Sequence, residues 1–219
     1  TKSFYNFIKI CRAMWENETV KNIHWLVLGV IYITFFLWYS NLSGPLTSEE
    51  VDNYLSKSSG DSNNSELFRE FLENDDGKAF YMVNYLDLNE NPPNLPETGM
   101  GASAWDLLDY YYEFMFPNLF SRACHPIFSG TVVSDALDLL NIEEGRTWDH
   151  AVVVRYRSRK DMADIVTNSN FFERHAYKLG GLEKTIAVPV TPSLVADLRI
   201  ILLMLFLIIG LSVQVFRKS

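Results

Sequence analysis

Two long apolar stretches, one near each end of the chain, enclose a middle region where apolar and polar residues alternate in short runs. The first stretch covers residues 23–39 (IHWLVLGVIYITFFLWY) and the second covers residues 198–216 (LRIILLMLFLIIGLSVQVF). Each is close to the ~20 residues that a helix needs to cross a ~30 Å hydrocarbon layer. The pattern predicts transmembrane helices over residues 23–40 and 197–216, with one globular domain between them at a membrane surface.

Charged residues predict how these two helices are oriented. The segments outside them are basic, with Lys2, Lys9, Arg12, Lys21, Arg217 and Lys218. Residues 44–197 instead contain 12 Lys and Arg against 25 Asp and Glu. Because short segments rich in Lys and Arg tend to stay in the cytoplasm, both termini are predicted to be cytoplasmic. The middle domain is then extracytoplasmic, which in a bacterial inner membrane means periplasmic.

The N-terminal region leaves two alternatives open. A cleaved signal peptide would have a shorter apolar core of ~7–15 residues and a small-residue cleavage site, which residues 40–44 (SNLSG) match poorly. A retained anchor is therefore favoured. Residues 1–22 are predicted to form an amphipathic cytoplasmic segment, lying in the membrane interface or docked on a neighbouring protein helix. Its apolar residues recur at helical spacing: Phe4, Phe7, Ile8, Cys11 and Trp15.

The middle region is predicted to be α+β. Residues 44–77 form an extension with two short helices, at 47–55 and 66–74, around a polar linker at 56–65. Residues 78–192 form the domain itself, and Pro189 marks its last strand as an edge or a bulge. Its strands are predicted at 78–88, 127–134, 150–157 and 184–190, and its helices at 103–123, after Ser158, and at 171–178. This order is the ferredoxin-like β-α-β-β-α-β plan, which leaves one sheet face for something else to cover.

Composition excludes several classes of function. An acidic domain argues against a nucleic-acid partner, because phosphates bind clustered Lys and Arg. Cys11 and Cys124 are predicted on opposite sides of the membrane, which rules out a disulfide between them and a thiolate metal site. His125, His150 and His175 lack the local spacing of metal ligands, although folding could assemble them. No Gly-rich phosphate loop, G-x-S-x-G elbow or H-E-x-x-H motif is present, so no metal and no cofactor are predicted.

Four strand residues are candidates for ligand binding: Asn84, His150, Arg155 and Tyr156. Asn84 is the neutral polar residue on an otherwise apolar strand face, and a polar group on a buried face needs a partner or a ligand. The alternative is structural. In that case Asn84 bonds the backbone and Arg155 pairs with an acid such as Asp87.

Aromatic residues cover more than one face of the helix predicted at 103–123. One stripe would pack on the sheet, and the other would be exposed unless a partner protein or membrane lipid covers it. Aromatic residues are enriched in protein interfaces. The candidate partner-interface residues are Tyr110, Tyr111, Phe114 and Phe120.

The stretch from Phe80 to Val190, about half of the chain, resembles a known superfamily. The matching features are Trp148 before the strand AVVVRYRS, RKDM at 159–162, NSNFF at 168–172 and the closing strand TIAVPV. They resemble the dimeric α/β-barrel superfamily, most closely its DUF1330-like branch. The resemblance implies that two sheets face each other, in a homodimer or with a similar partner. It implies little about activity, since that branch has no well-established reaction, and its relatives include antibiotic-biosynthesis-type monooxygenases and haem-handling enzymes.

The chain departs from that pattern in its two apolar helices, the loop at 89–101 and an insertion at 136–146. These departures favour an accessory or structural subunit of a larger integral-membrane complex, in contact with the lipid bilayer, over an enzyme. The alternative is a membrane-anchored small-molecule-binding protein, or a cofactor-independent monooxygenase-like enzyme acting on an apolar substrate. A cavity beside Asn84 and Tyr156 would favour this alternative, and well-packed side chains there would weigh against it.

Overall fold

The structure, a computed structural model, describes the backbone of residues 18–58 and 62–218 and the side chains of residues 22–58 and 65–216. This part of the chain has an α+β fold with seven α-helices and four strands. It separates into two compact units, one made of residues 18–39 and 194–218 and the other of residues 40–193. Cys11 and most of the predicted amphipathic segment at 1–22 lie outside the described residues.

The first unit consists of two long apolar helices, α1 (Glu18–Tyr39) and α7 (Leu198–Lys218). Their apolar windows are Asn22–Tyr39 and Leu198–Phe216, 18 and 19 residues long, so both helices are long and apolar enough to cross a membrane. The two helices pack against each other closely. The ring of Trp25 lies against Gly210, where an added Cβ would come within 2.3 Å of ring atoms.

The second unit begins with a helical extension, α2 (Ser48–Lys57) and α3 (Ser62–Glu73). A capping box formed by Thr47 and Glu50 starts α2, as the sequence predicts. In contrast, α3 begins at Ser62, inside the predicted linker at 56–65, of which residues 59–61 lie outside the description. The part of α3 that was predicted is stabilised by packing, because Leu72 is completely buried in a cluster with Val51, Tyr54 and Ala163, and tertiary contacts stabilise short helices more than propensity does.

A four-stranded antiparallel sheet forms the centre of this unit. Its strands are β1 (Phe80–Leu88), β2 (His125–Thr131), β3 (His150–Tyr156) and β4 (Leu182–Val190). They lie side by side in the order β2-β3-β1-β4. Pro189 lies in β4, which is an edge strand, as predicted. A proline is tolerated there because an edge strand needs fewer backbone donors.

Three helices cover one face of the sheet: α4 (Ala104–Ser121), α5 (Arg159–Val166) and α6 (Ser169–Gly180). The largest core cluster lies between them and the sheet, and it includes Phe80, Tyr111, Met115, Tyr156 and Phe171. On the opposite face Tyr85, Ile186 and Val188 are exposed by 41%, 46% and 42%. The sheet therefore has one covered face and one face with exposed apolar side chains.

Candidate functional site

A cavity of about 800 Å³ lies between the sheet and helices α4, α5 and α6. Inward-facing residues of β1 and β3 line one side, and residues of α4 and α6 line the other. Most of the lining is aliphatic or aromatic, and Ser58 and Phe68 of the helical extension lie at its margin. Cavities that bind small molecules usually measure ~300–1,000 Å³, so this one has room for such a ligand.

The cavity exists because four inward positions in one row of the sheet carry short side chains. Asn84 pairs with Val152 on one side and Ala187 on the other, and Val152 pairs with Ser129 of β2. Larger residues fill the space on either side of this row, toward the two ends of β1. One cluster surrounds Phe80 and the other surrounds Leu86. Since adjacent strands lie only ~4.8 Å apart, four short side chains in a row leave a continuous gap beneath the helices.

Asn84 lies at the middle of this row and lines the cavity. Its Nδ2 donates to the carbonyl oxygens of Met82 at 3.0 Å and Val152 at 3.2 Å. The amide nitrogen of Asn84 therefore bonds the backbone, as expected if the residue has a structural role. Among the described residues its Oδ1 has no hydrogen-bond partner, so this oxygen remains available to a ligand.

His150 and Tyr156 lie at the two ends of β3 on the same face and line the same cavity. A hydrogen bond of 2.9 Å joins His150 Nε2 to Ser129 Oγ, and the ring of Trp105 packs edge-on against the imidazole at 5.5 Å. The Tyr156 ring stacks on Phe80 at 5.2 Å. Burial raises the pKa of Tyr156, so its hydroxyl stays protonated.

Arg155 does not join this group. Consecutive residues of a strand point to opposite faces, so Arg155 faces away from the cavity although its neighbour Tyr156 lines it. Arg155 is buried, and its Nη1 donates to the carbonyl oxygen of Ala123 at 2.8 Å. The suggested partner Asp87 instead forms an ion pair with Lys184 at 3.4 Å.

The four candidate interface residues of α4 do not form one exposed surface. Tyr111 is buried and lines the cavity. Tyr110 and Phe114 are half-buried against α6, where Tyr110 packs on the ring of Tyr177 and Phe114 on that of Phe171. Phe120 is 51% exposed. A helix of the same chain therefore covers Tyr110 and Phe114, which the pattern within α4 could not indicate, whereas Phe120 and Phe116, which is 41% exposed, lie at the surface.

The structure adds two functional candidates on α6: Lys178, which was not predicted, and His175, which was considered only as a metal ligand. Both line the cavity beside Tyr111, with Lys178 Nζ 5.9 Å from the centre of the tyrosine ring. Burial lowers the pKa of Lys178. Burial, with a smaller effect from the charge of Lys178, lowers the pKa of His175 to about 4, so this imidazole is neutral at neutral pH. Phe171, His175 and Lys178 are spaced by four and three residues, which predicts that they share one face of a helix. This spacing could have identified both candidates from the sequence.

A metal centre is not supported by the described residues, which contain no group of three His, Cys, Asp or Glu side chains close enough to hold an ion. His150 and His175 line the cavity, but His125 lies opposite Arg155 in the β2–β3 pairing. The three histidines therefore do not converge.

Comparisons with known proteins identify a fold. No protein-family model matches the chain, and no curated protein matches it. RPA0582, a protein of unknown function from Rhodopseudomonas palustris, matches with a TM-score of 0.50 and 17% identity, over 59% of this chain and 94% of that one. A structure of methylated RPA0582 has the same score and identity over 60% and 93%. At3g17210 from Arabidopsis thaliana matches at 18% identity over 54% and 99%, with a TM-score of 0.35.

The likeness to RPA0582 shows a shared α+β fold with a small antiparallel sheet. It covers 59–60% of the chain and carries no information about activity at this level of identity. Membership of the DUF1330-like branch is not shown by these matches.

Proposed function

We propose that this protein binds an apolar small molecule in the cavity of its α+β domain and is anchored to a membrane by α1 and α7. The observation that carries this proposal is the cavity of about 800 Å³ beside Asn84 and Tyr156. A domain used only for protein contact has no need of such a space, since empty volume in a core lowers stability. The cavity thus favours the small-molecule hypothesis over the accessory-subunit hypothesis that the sequence favoured.

Two long apolar helices at the ends of the chain support membrane anchoring. Apolar compounds concentrate in the lipid bilayer, so an anchored domain would meet its ligand at a high local concentration. The charge distribution supports cytoplasmic termini and an extracytoplasmic domain.

Binding is proposed rather than turnover. Ser129 and His150 form a serine–histidine hydrogen bond at the cavity, which is one part of a nucleophilic site. Within the described residues, however, no carboxylate holds the second imidazole nitrogen, and a third group of this kind normally orients the base.

A fluorescence titration tests this proposal. The full chain is placed in lipid nanodiscs and titrated with N-phenyl-1-naphthylamine, a neutral apolar probe that is excited directly. Nanodiscs without protein measure the background fluorescence of probe that is dissolved in the lipid. We expect saturable binding of one probe per chain by the wild type and its loss in Val152→Trp, which fills the cavity.

The matched control is Val153→Trp, because Val153 is the next residue of β3 and faces away from the cavity. This variant should bind the probe like the wild type. Wild-type fluorescence no higher than that of empty nanodiscs, or unchanged binding by Val152→Trp, would contradict the proposal.

We further propose that the exposed sheet face binds a protein partner, in line with the ferredoxin-like plan and the dimeric α/β-barrel resemblance. The strand order β2-β3-β1-β4 with antiparallel neighbours supports that plan. Exposed Tyr85, Ile186 and Val188 give this face an apolar centre, which is unusual for a surface that stays in water. The partner would be a second copy of the chain or a larger integral-membrane protein.

Purification in mild detergent followed by native mass spectrometry tests the second proposal. A stoichiometric large membrane protein would establish the accessory-subunit role, and a homodimer would establish the two-sheet barrel. Either complex should be lost in Val188→Lys and kept in Val133→Lys, whose site is 97% exposed in a loop. A wild-type chain that purifies as a monomer would exclude both.

A further inference from the structure

We propose that the ligand of the cavity is an amphiphile with a single anionic head group, such as a carboxylate on an apolar chain, and that Lys178 binds the head group. This inference rests on the proposed binding function of the same cavity. It goes further by assigning the chemical class of the ligand and the residue that recognises it.

Five partly buried cations of the domain have acidic partners, and two others, Arg122 and Arg155, donate to the backbone carbonyl oxygens of Asn118 and Ala123. Ion pairs join Arg157 to Asp161 at 2.6 Å, Arg159 to Asp75 at 3.8 Å and Lys184 to Asp87 at 3.4 Å, and they also join Lys160 to Glu50 and Arg174 to Glu113. Lys178 differs from all of these. Among the described residues it has no ion pair and no hydrogen bond from Nζ. Its amine lies only near the ring of Tyr111, with 5.9 Å from Nζ to the ring centre.

An amine in these surroundings lacks a charged partner. Burial disfavours the protonated form and accounts for the lowered pKa of Lys178. A charge removed from water is stabilised when an opposite charge with good hydrogen-bond geometry lies beside it. No Asp or Glu lines the described cavity, so within this lining only a bound molecule can supply that charge.

Neighbouring groups can complete the binding of an anionic head. Tyr111 and Tyr156 both line the cavity, their hydroxyls have no hydrogen bond to a described residue, and a raised pKa keeps each hydroxyl protonated as a donor. His175 is neutral and retains one N–H donor. An anion would thus meet one cation and several neutral donors.

The remaining lining matches an apolar chain. Met82, Met115, Val154 and Phe172 surround the space beyond the polar groups, and the flexible side chains of methionine adapt to ligands of different shape. Lys178 is the only Lys or Arg among the described lining residues. One cation favours a single negative charge over a di- or trianionic head such as a phosphate monoester.

Competition between two ten-carbon compounds tests this inference. Decanoate and decanamide have the same chain and differ in the charge of the head group. Each is used to displace N-phenyl-1-naphthylamine from the full chain in nanodiscs of zwitterionic lipid. We expect decanoate to displace the probe from the wild type at a concentration about tenfold lower than decanamide, because hydrogen bonds to charged groups are the stronger ones.

Variants at Lys178 assign the preference to this residue. Lys178→Met should bind the neutral probe normally and lose the preference for decanoate, whereas Lys178→Arg should keep it. Lys78→Met is the matched control, because Lys78 is 77% exposed and lies outside the cavity lining, and it should behave like the wild type.

The two proposals fail in distinguishable ways. Equal displacement by decanoate and decanamide from a wild-type chain that binds the probe would overturn the anionic-ligand inference and leave the binding function standing. A preference that persists in Lys178→Met would also overturn it. Absence of saturable probe binding by the wild type would overturn both.

Discussion

Tyr111, Cys124 and Tyr156 lie in one packed cluster between α4 and the sheet, and their surroundings change their acid–base chemistry. Burial disfavours the charged form of each group, which raises the pKa of all three. At neutral pH they therefore act as hydrogen-bond donors or as packing groups. None of them is an activated nucleophile.

The reactivity of Cys124 follows from this environment. Its thiol is fully buried, has a pKa of about 12 and lies 3.3 Å from the backbone nitrogen of Arg157, which donates to the sulfur. Because the thiolate is the reactive form, Cys124 in a Cys11→Ser variant should resist iodoacetamide in the folded protein and react fully in denaturant. Intact-mass measurement of the adduct checks this. Rapid modification of the folded protein would show that Cys124 is accessible.

At the scale of the elements, short-range contacts hold the helical extension to the domain. The two ends of the extension are joined first to each other, since Asn41 Nδ2 donates to the carbonyl oxygen of Gly77 at 2.9 Å and the backbone nitrogen of Leu46 donates to Asp75 at 2.9 Å. On the other side, Glu50 of α2 pairs with Lys160 of α5, and the Tyr54 hydroxyl donates to Asp164. The extension is thus closed at its ends and attached to the domain along α2.

Gly77 lies where two of these segments approach most closely. Its φ is +72°, and an added Cβ would lie 2.7 Å from Gly44 C and 2.9 Å from Pro45 N. Gly77→Ala should therefore lower the free energy of unfolding by more than the ~1–2 kcal/mol that a left-handed conformation costs a residue with a side chain. Gly99→Ala is the control, since its φ of +78° is similar but no atom lies within 4 Å of an added Cβ. Denaturant unfolding of both variants measures the difference, and equal losses would show that the contact with residues 44 and 45 is not restrictive.

The Glu50–Lys160 pair predicts a pH dependence of stability. The hydrogen bond from Lys160 lowers the pKa of Glu50 from 4.5 to about 2. Since the folded-state pKa is depressed, the stabilisation is complete above pH 4.5 and is lost as the pH falls toward 2. The wild type should lose more stability than Glu50→Gln over this range, by ~1 kcal/mol or less, because the pair is about one-third exposed and water screens it.

Thermal unfolding between pH 5 and pH 2 measures this effect. Glu49→Gln is the control, as Glu49 is the neighbouring acid in the first turn of α2 and is exposed. Its pH profile should follow that of the wild type. Parallel profiles for the wild type and Glu50→Gln would mean that the pair does not stabilise the docked extension.

At the scale of the whole molecule, the chain combines two terminal apolar helices with one domain that contains a cavity and an apolar sheet face. Only residues 191–197 separate β4 from α7, and residue 40 directly follows α1. Both ends of the domain are therefore joined to a helix long enough to cross a membrane. The proposed anchoring suits the proposed ligand, an amphiphile that would itself enter the membrane.

Labelling from outside the cell tests the orientation. A membrane-impermeant maleimide should label Val133→Cys in intact spheroplasts, since residue 133 lies in an exposed loop of the domain. Lys218→Cys, beyond α7, should be labelled only after the membrane is opened, because basic flanking segments stay in the cytoplasm. The reverse pattern would invert the predicted topology.

Local patterns predicted the elements of this fold well. Alternation in the strands, the capping residues at Thr47 and Ser158, and the edge position of Pro189 depend on neighbours within a few residues, and all are present in the structure. Alternation also places Arg155 and Tyr156 on opposite faces of β3. The prediction that both line one pocket was therefore inconsistent with the strand pattern. The start of α3 was misplaced because residues 62–65 were assigned to a linker from their polar composition alone, although the helix includes them.

The sequence by itself determined the two apolar helices, the acidic middle and the order of strands and helices, because these depend on composition and on periods of 2 and 3.6 residues. Only the tertiary structure decided that the short side chains of Ser129, Val152, Asn84 and Ala187 align in one row across four strands. It also placed Lys178 and His175 of α6 over that row. Both results depend on strand register and helix docking, which bring together residues far apart in the chain, so no local pattern contains them.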